Sequence, residues 1–292
     1  MLRSILVPLD GSQFGEHALP VAADLARRAG AALHLVHAHA PLVYIEGLSV
    51  LDDRADEQLR EQERGYLERL AGRLADTGVA VHTAVVEGFA ADVLREQAEA
   101  AGAGLIVMST HGRGPFSRFW LGSVADALVR AAPVPLLLVR PSEQPAAGPA
   151  FRHVLIPLDG SALAEQAIQP AVEVGRLTGA DYMLIRVVPP VFRVDDGRGE
   201  VWEATERQEE EAKQYLDRVA ARLRGEGLAV STRVVTGQQP ADAILRAASS
   251  TDLIALATHG RRGLGRLVLG SVADKLIRAA TVPVLVHRPQ AV

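Results

Sequence analysis

Two groups of residues have the types and spacing that could bind an anionic ligand. The first is Asp-Gly-Ser, which begins at Asp10 and again at Asp159, each time after a short apolar run that contains a proline. A carboxylate there can accept hydrogen bonds from ribose hydroxyls or an adenine amino group. The alternative is a turn followed by a serine that caps the next helix, and it accounts for the same three residue types.

The second group is a glycine frame, Gly-x9-Gly-Ser, which also occurs twice. Its copies are Gly112 with Gly122-Ser123 and Gly260 with Gly270-Ser271. The last serine of each copy begins the sequence Ser-Val-Ala-Asp, a capping-box pattern that predicts a helix start. Free N–H groups at a helix start, beside a glycine that lets the backbone approach closely, favour a phosphate. The alternative is a tight turn with a close contact between helix and sheet.

Basic residues within the same loops could strengthen an anion site. Arginine side chains make bidentate contacts with phosphates, although single loop arginines are more often solvated surface charges. A histidine beside the first glycine of each frame could hydrogen-bond a ligand or stabilise the loop. These residues are His111, Arg113, Arg118, His259, Arg261, Arg262 and Arg266.

Both groups belong to a duplication of the whole domain. Residues 5–12 recur as 154–161, 149 positions later, and residues 110–126 recur as 258–274, 148 positions later. A period of this length exceeds that of a solenoid repeat. We therefore predict a first domain over 1–141, a Pro-rich linker over 142–150 and a second domain over 151–292.

Short β-rich runs alternate with helical patterns in each copy. Several runs are apolar throughout, as expected of parallel strands covered by helices on both faces, which predicts an α/β fold with a doubly wound parallel sheet in each half. Ligands of such sheets bind at the carboxyl ends of the strands. The predicted strands are 3–8, 32–38, 79–86, 104–109 and 134–140, then 152–157, 181–187, 228–235, 252–257 and 283–287. The predicted helices of the first copy are 13–29, 54–76, 90–101 and 123–131.

Composition excludes several classes of function. The 292 residues carry a net charge of −4, which provides no overall field for binding nucleic acid. The absence of cysteine removes disulfides and thiolate metal sites and is typical of a cytoplasmic protein. No apolar stretch is long enough to span a membrane. Neither Gly-x4-Gly-Lys-Ser/Thr nor an intact Gly-x-Gly-x-x-Gly after a strand occurs, which argues against a Walker-type ATPase and a dinucleotide dehydrogenase.

Histidines and charged runs outside the two groups are given structural interpretations. His34, His37 and His39 lie on the second predicted strand, the last two on one face, and no nearby carboxylate in the sequence completes a metal site. The segments 54–64 and 200–211 are predicted to form the solvated faces of amphipathic helices, with partner docking or pocket cover as alternatives.

The motifs resemble those of the universal stress protein family across essentially the whole of both copies. Nucleotide-binding members of that family carry Pro-x-Asp after the first strand and Gly-x2-Gly-x9-Gly-Ser/Thr after the fourth. The resemblance implies a Rossmann-like, five-stranded parallel sheet in the order 3-2-1-4-5, so that Asp10 faces the Gly112 loop and Asp159 the Gly260 loop. The first glycine of the motif is replaced by Ser109 in one copy and by Ala257 in the other.

Carried over residue by residue, the resemblance implies that the aspartates meet the ribose or base, that the glycine loops hold the phosphates, and that Ala38 and Val187 line the adenine pocket. In the first half the implied nucleotide-binding residues are Pro8, Leu9, Asp10, Ala38, Met108, Gly112, Arg113, Gly114, Gly122, Ser123 and Val124. In the second half they are Pro157, Leu158, Asp159, Val187, Gly260, Arg261, Arg262, Gly263, Gly270, Ser271 and Val272. Pro115 stiffens the first loop where the second has Leu264, which favours the second site.

We therefore expect a regulatory protein of the stress response that binds ATP, with which Mg²⁺ can be associated, and that uses no redox cofactor. Two alternatives stay open: an interaction scaffold that binds no nucleotide, motivated by Ser109 and Ala257, and a slow ATP hydrolase that uses the two aspartates and the loop histidines. The family also implies pseudo-dimeric pairing of the two halves through their last strands, or the equivalent pairing between two chains.

Overall fold

A computed structural model describes residues 2–40, 53–110, 121–141, 151–190, 201–258 and 269–289. The chain divides into two units, Met1–Pro149 and Ala150–Val292. The linker predicted over 142–150 lies outside the described residues.

The first unit alternates strands with helices, as the apolar runs predicted. Its strands are β1 Ser4–Pro8, β2 Ala32–His39, β3 Val81–Glu87, β4 Leu105–Ser109 and β5 Leu136–Val139. Its helices are α1 Gln13–Glu16, α2 Leu19–Ala29, α3 Asp53–Leu74, α4 Ala90–Ala100 and α5 Ser123–Ala131, and a short 3₁₀ turn Ala75–Thr77 follows α3.

The second unit repeats this order element by element. Its strands are β6 His153–Pro157, β7 Asp181–Val188, β8 Val230–Thr236, β9 Leu253–Ala257 and β10 Val284–His287. Its helices are α6 Ala162–Glu165, α7 Ile168–Thr178, α8 Val201–Gly225, α9 Pro240–Ala247 and α10 Ser271–Ala279, and a 3₁₀ turn Ala248–Ser250 follows α9.

Each unit has the predicted strand order. In the first, β1 pairs in parallel with β2 and β4, and the outer strands β3 and β5 complete the order 3-2-1-4-5. In the second, β6 pairs in parallel with β7 and β9 and occupies the corresponding central place. The order reverses at β1 and at β6, so the predicted ligand edge lies at the carboxyl ends of these two strands.

The cores consist of the central strands and the helix faces packed on them. Every residue of β4 and β5 is buried, and so are the first four residues of β1. Apolar runs of this kind are excluded from water on both faces, which explains why they predicted strands without an alternating pattern. No helix in the described part of the chain is long and apolar enough to cross a membrane.

The prediction of one helix over 13–29 was wrong, because the structure has two helices there. Helix α1 ends at Glu16, and α2 begins at Leu19 with Pro20 in its first turn. Pro20 has no N–H to donate to the carbonyl of Glu16, and its ring collides with that carbonyl in a continuous helix. The chain therefore turns at His17–Ala18 before it resumes a helix.

A stacked histidine pair predicts acid sensitivity of the first unit. His34 and His82 pair in register on β2 and β3, and their ring centroids are 4.8 Å apart. Burial, and then the charge of His82, lower the pKa of His34 below its ordinary value of 6.5. The folded state thus binds fewer protons than the unfolded state as pH falls below that value, and stability is lost on acidification.

We expect His34→Met to reduce this loss, because methionine, the residue at the corresponding position 183, has no charge to acquire. The measurement is urea unfolding of the wild type and the variant at about pH 7 and about pH 5, on either side of the ordinary histidine pKa. An equal loss of unfolding free energy in both proteins would contradict the prediction.

Candidate functional site

Asp10 lies in a tight turn directly after β1. The Leu9 N–H donates to the Val36 carbonyl at 2.9 Å, which continues the pairing of the first two strands up to the turn. Asp10 Oδ1 accepts from the Ser12 N–H at 3.0 Å and from the Ser12 hydroxyl at 2.6 Å. Ser12 Oγ in turn accepts from the Gly15 N–H at 3.1 Å and caps α1. The structure thus forms the turn and capping serine that the sequence offered as the alternative for this motif.

Asp159 forms the same turn after β6, but its carboxylate accepts fewer hydrogen bonds from the described residues than that of Asp10. Its Oδ1 accepts from the Ser161 N–H at 2.8 Å, and Ser161 Oγ caps α6 by accepting from the Ala164 N–H at 3.1 Å. Asp159 is exposed, and within the described part of the chain this is its one hydrogen bond. Because Asp159 is exposed and one of its oxygens holds the turn, the structural and ligand-binding roles are compatible here.

The helices that follow the glycine frames start at glycines and have no side-chain caps. Gly122 is the N-cap of α5, and its N–H donates to the Thr110 carbonyl at 2.9 Å, which ties the helix start to the end of β4. Gly270 is the N-cap of α10 in the same extended conformation. The capping boxes predicted from Ser123 and Ser271 were wrong, because each serine is the first helical residue and glycine has no side chain that could cap.

An uncapped helix start retains N–H donors that a bound anion could accept from. In the second unit, Thr258 directly follows β9 at the same edge of the sheet and is 2% exposed. Its hydroxyl has no hydrogen-bond partner within the described residues, although its N–H donates to the His287 carbonyl at 2.9 Å. A buried hydroxyl without a partner costs free energy, so this edge of the second unit has polar capacity that a ligand could use.

The strand order brings the two motifs of each half to one edge of its sheet. Since β1 pairs with β4 and β6 with β9, each aspartate turn lies next to the end of the strand that leads to the uncapped helix. The loops between that strand and that helix lie outside the described residues. They contain Gly112, Arg113, Gly114, Gly260, Arg261, Arg262 and Gly263, together with His111 and His259.

The remaining predicted positions lie along the same edges. Leu9, Leu158 and Met108 are buried supports of the strand ends. The positions that are partly accessible are Pro8, Ala38, Gly122, Val124, Pro157, Val187, Gly270 and Val272, while Ser123 and Ser271 are exposed. Ala38 and Val187 occupy corresponding places in the second strand of their halves.

A Glu-Tyr-Arg cluster beside each aspartate turn was missed by the sequence analysis. In the second unit, Glu165 of α6 accepts from the Tyr215 hydroxyl and from Arg222, both of α8, at 3.1 Å each. In the first, Arg73 of α3 donates to Glu16 of α1 at 2.7 Å, and Tyr66 lies beside them. Each cluster joins the short helix after the aspartate to the long helix.

The clusters and the aspartates share an electrostatic environment. Burial raises the pKa of Tyr66, and the negative charges of Glu16 and Asp10 raise it further. Burial likewise raises the pKa of Tyr215, followed by the charge of Glu165, with Asp159 contributing less. The signal that could have found these residues was the duplication itself, because all three side chains recur 149 positions later.

The histidines of β2 contact carboxylates of the long helix α3, which corrects one sequence expectation. His39 contacts Glu63 through Nδ1 at 2.8 Å and Asp56 through Nε2 at 3.0 Å, and His37 Nε2 lies 3.2 Å from the other Glu63 oxygen. Helix α3 supplies both carboxylates, which the sequence analysis did not place beside these histidines. The solvated face predicted over 54–64 was wrong at these positions, since the Glu63 side chain is only 11% exposed.

The charge network continues from Asp56 to Arg60, which donates to it at 2.8 Å and also contacts Glu87 of β3 at 2.5 Å. The hydrogen bond to Glu87, followed by the one to Asp56, raises the pKa of Arg60 above its usual range. The hydrogen bond from Arg60, followed by the one with His39, lowers the pKa of Asp56. No group of three or more His, Asp or Glu in the described ranges is arranged to hold a metal ion.

Two doubly wound units with paired motifs at their switch points define a duplicated α/β protein of the Rossmann-like class. The model of the universal stress protein family matches residues 1–140 and again 150–288. The chain therefore belongs to the universal stress protein family, as a tandem member.

Known relatives agree with this assignment along the full chain. A universal stress protein of Mycolicibacterium smegmatis is 30% identical over 302 aligned positions, covering 98% of this chain and 97% of the relative. A universal stress protein of Mycobacterium tuberculosis strain H37Rv is 27% identical and covers 97% and 94%. Among solved structures, a universal stress protein of Archaeoglobus fulgidus has the same fold, with a TM-score of 0.74 at 21% identity and 98% coverage of both chains.

Proposed function

We propose that this chain is a regulatory protein that binds ATP or a related nucleotide, and that it acts through ligand occupancy and not through strong catalysis. The observation that carries the proposal is the repeated pairing of an aspartate turn with an uncapped helix start on neighbouring strands. The carboxylate can accept from ribose or base, and the helix start can donate to phosphate. Magnesium, where it accompanies the nucleotide, would offset the charge of the phosphates.

The second half is the better candidate for occupancy. Asp159 is exposed and accepts one hydrogen bond from Ser161, whereas Asp10 is half-buried and accepts two from Ser12. The buried Thr258 hydroxyl adds a polar group at the same edge. Nucleotide binding in response to stress, and pairing between the halves or between two chains, stay predictions for this protein.

Gly270→Trp tests the site with little risk to folding. Gly270 has φ −60° and ψ 140°, which other residues adopt, and no described atom lies within 4 Å of the position a Cβ would take. The indole would cover the first turn of α10, so we expect loss of saturable ATP binding at the second site by isothermal titration calorimetry with Mg²⁺. Gly270→Ala is the matched control and is expected to bind as the wild type does.

Asp159→Ala is expected to weaken ATP binding by roughly 10- to 100-fold, the range for a hydrogen bond to a charged group. The corresponding changes, Gly122→Trp and Asp10→Ala, report on the first half. Protein purified without added ligand is examined by native mass spectrometry for a retained nucleotide. Wild-type protein that retains none and shows no heat of ATP binding would refute the proposal and leave the scaffold alternative.

A further inference from the structure

Arg186 places a positive charge beside the aspartate turn of the second half. It lies near the carboxyl end of β7, and its guanidinium carbon is 5.1 Å from the centroid of the Tyr215 ring. The guanidinium also approaches the turn after β6, because a Cβ built on Gly160 would lie 3.2 Å from Arg186 Nη1. Gly160 has φ +91°, a conformation that side-chain-bearing residues rarely adopt, which explains the glycine at this turn.

Arg186 makes no ion pair or hydrogen bond within the described part of the chain, although it is partly buried. The Tyr215 ring gives it a cation–π contact on one side, and Tyr215 is itself held by Glu165. This half-buried guanidinium offers a planar set of donors that fits a phosphate in bidentate geometry. The arrangement thus provides a positioned cation whose natural partner is an oxyanion.

The strand order shows which part of a nucleotide could reach this cation. The order β7-β6-β9 puts Asp159 in the middle, with Arg186 on one side and the strand leading to α10 on the other. A nucleotide with its 5′-phosphates at α10 and its ribose at Asp159 would place the rest of the nucleoside on the β7 side, with the base at Val187 and the ribose hydroxyls within reach of Arg186. In doubly wound sheets that bind dinucleotides, the acid or arginine that distinguishes a ribose hydroxyl from a ribose phosphate lies in this region.

The first half has opposite chemistry at the corresponding position. His37 takes the place of Arg186, and its Nε2 lies 3.2 Å from Glu63, which also contacts His39. The corresponding residue to Glu63 in the second half is Ala212. A carboxylate here disfavours an additional phosphate, so the two halves differ in the ligand charge that they accept.

On the basis of the proposed function, we infer that the second half selects an adenine nucleotide that carries a further phosphate on its ribose, and that Arg186 binds this phosphate. The first half prefers a nucleotide with unmodified ribose hydroxyls. The tandem protein would then read two chemically different nucleotides, one in each half.

The experiment compares AMP, adenosine 2′,5′-bisphosphate and adenosine 3′,5′-bisphosphate by calorimetry on the full chain in the Asp10→Ala background, which weakens the first site. We expect at least one bisphosphate to bind about tenfold or more tightly than AMP, the ratio for a charge-assisted contact. Arg186→Gln is expected to remove this preference. Arg186→Lys, which keeps the charge and loses the bidentate geometry, is expected to retain part of it.

Arg218→Gln is the matched control, since Arg218 is an exposed arginine of α8 outside the cluster. It loses the same charge and is expected to keep the full preference. Equal binding of AMP and both bisphosphates, or an undiminished preference in Arg186→Gln, would overturn the inference and leave the proposed function standing. Absence of binding by all three compounds and by ATP in the wild type would instead refute the proposed function and this inference with it.

Discussion

Gly175→Ala is expected to destabilise the second half by about 2 kcal/mol, although alanine is the better helix former. A Cβ at Gly175 would lie 2.4 Å from the Tyr182 hydroxyl and 2.8 Å from its Cζ, and Tyr182 is 1% exposed. Overpacking of this severity costs up to about 3 kcal/mol. The gain in helix propensity returns about 1 kcal/mol. The measurement is the free energy of urea unfolding.

The first half supplies the control for this prediction. The corresponding pair there is Ala26 and Leu33, both fully buried. In a Tyr182→Leu background the hydroxyl and ring are gone, so Gly175→Ala should become neutral or stabilising. The sign of the alanine substitution thus depends on residue 182, which a double-mutant cycle measures directly. An equal loss in both backgrounds would show that the contact with Tyr182 is not the cause.

The Tyr182 ring is confined for a second reason. Its hydroxyl donates to the Val172 carbonyl at 3.3 Å, and burial raises the pKa of Tyr182 to about 12. Movement of the ring away from a new Cβ would therefore break a buried hydrogen bond as well as disturb the packing between α7 and β7.

His39→Val is expected to destabilise the first half by about 3 kcal/mol, the upper end of the cost of leaving a buried polar group without its hydrogen-bond partner. His39 is fully buried between Glu63 and Asp56. Valine leaves the Glu63 carboxylate nearly buried with only His37 beside it, whereas Asp56 keeps its ion pair with Arg60. Urea unfolding of the wild type and the variant gives the difference in unfolding free energy.

The second half again shows a compatible pair, since Val188 and Ala212 occupy the places of His39 and Glu63 and are both buried. Adding Glu63→Ala to His39→Val is therefore expected to recover most of the lost stability. His153→Val is the matched control, because His153 contacts Asp181 at 2.9 Å on the exposed surface, where such a contact contributes little to stability. If Glu63→Ala lowered stability further in the His39→Val background, this explanation would be contradicted.

The strands and the edge that carries the candidate sites followed from the sequence pattern, and the strand order followed from the resemblance to the universal stress protein family. Runs such as Leu105–Met108 are apolar throughout, and only a strand buried on both faces makes use of such a run at this length. Because the chain is duplicated, the same elements could be predicted independently in the second copy. The ends of the helices were predicted less accurately. Pro20 interrupts a pattern that is otherwise periodic, and a serine that caps a helix cannot be distinguished by sequence from a serine in its first turn.

Which side chains meet was decided by the tertiary structure. The sequence placed Asp10 and Asp159 at strand ends, but the fold determined that Asp159 is exposed whereas Asp10 is half-buried and accepts two hydrogen bonds from Ser12. The fold also places Glu63 in contact with His39, and the Tyr215 ring against the guanidinium of Arg186. The physical reason is that periodicity records which face of an element is buried, whereas contacts between elements depend on how a helix and a strand distant in sequence are aligned when they pack.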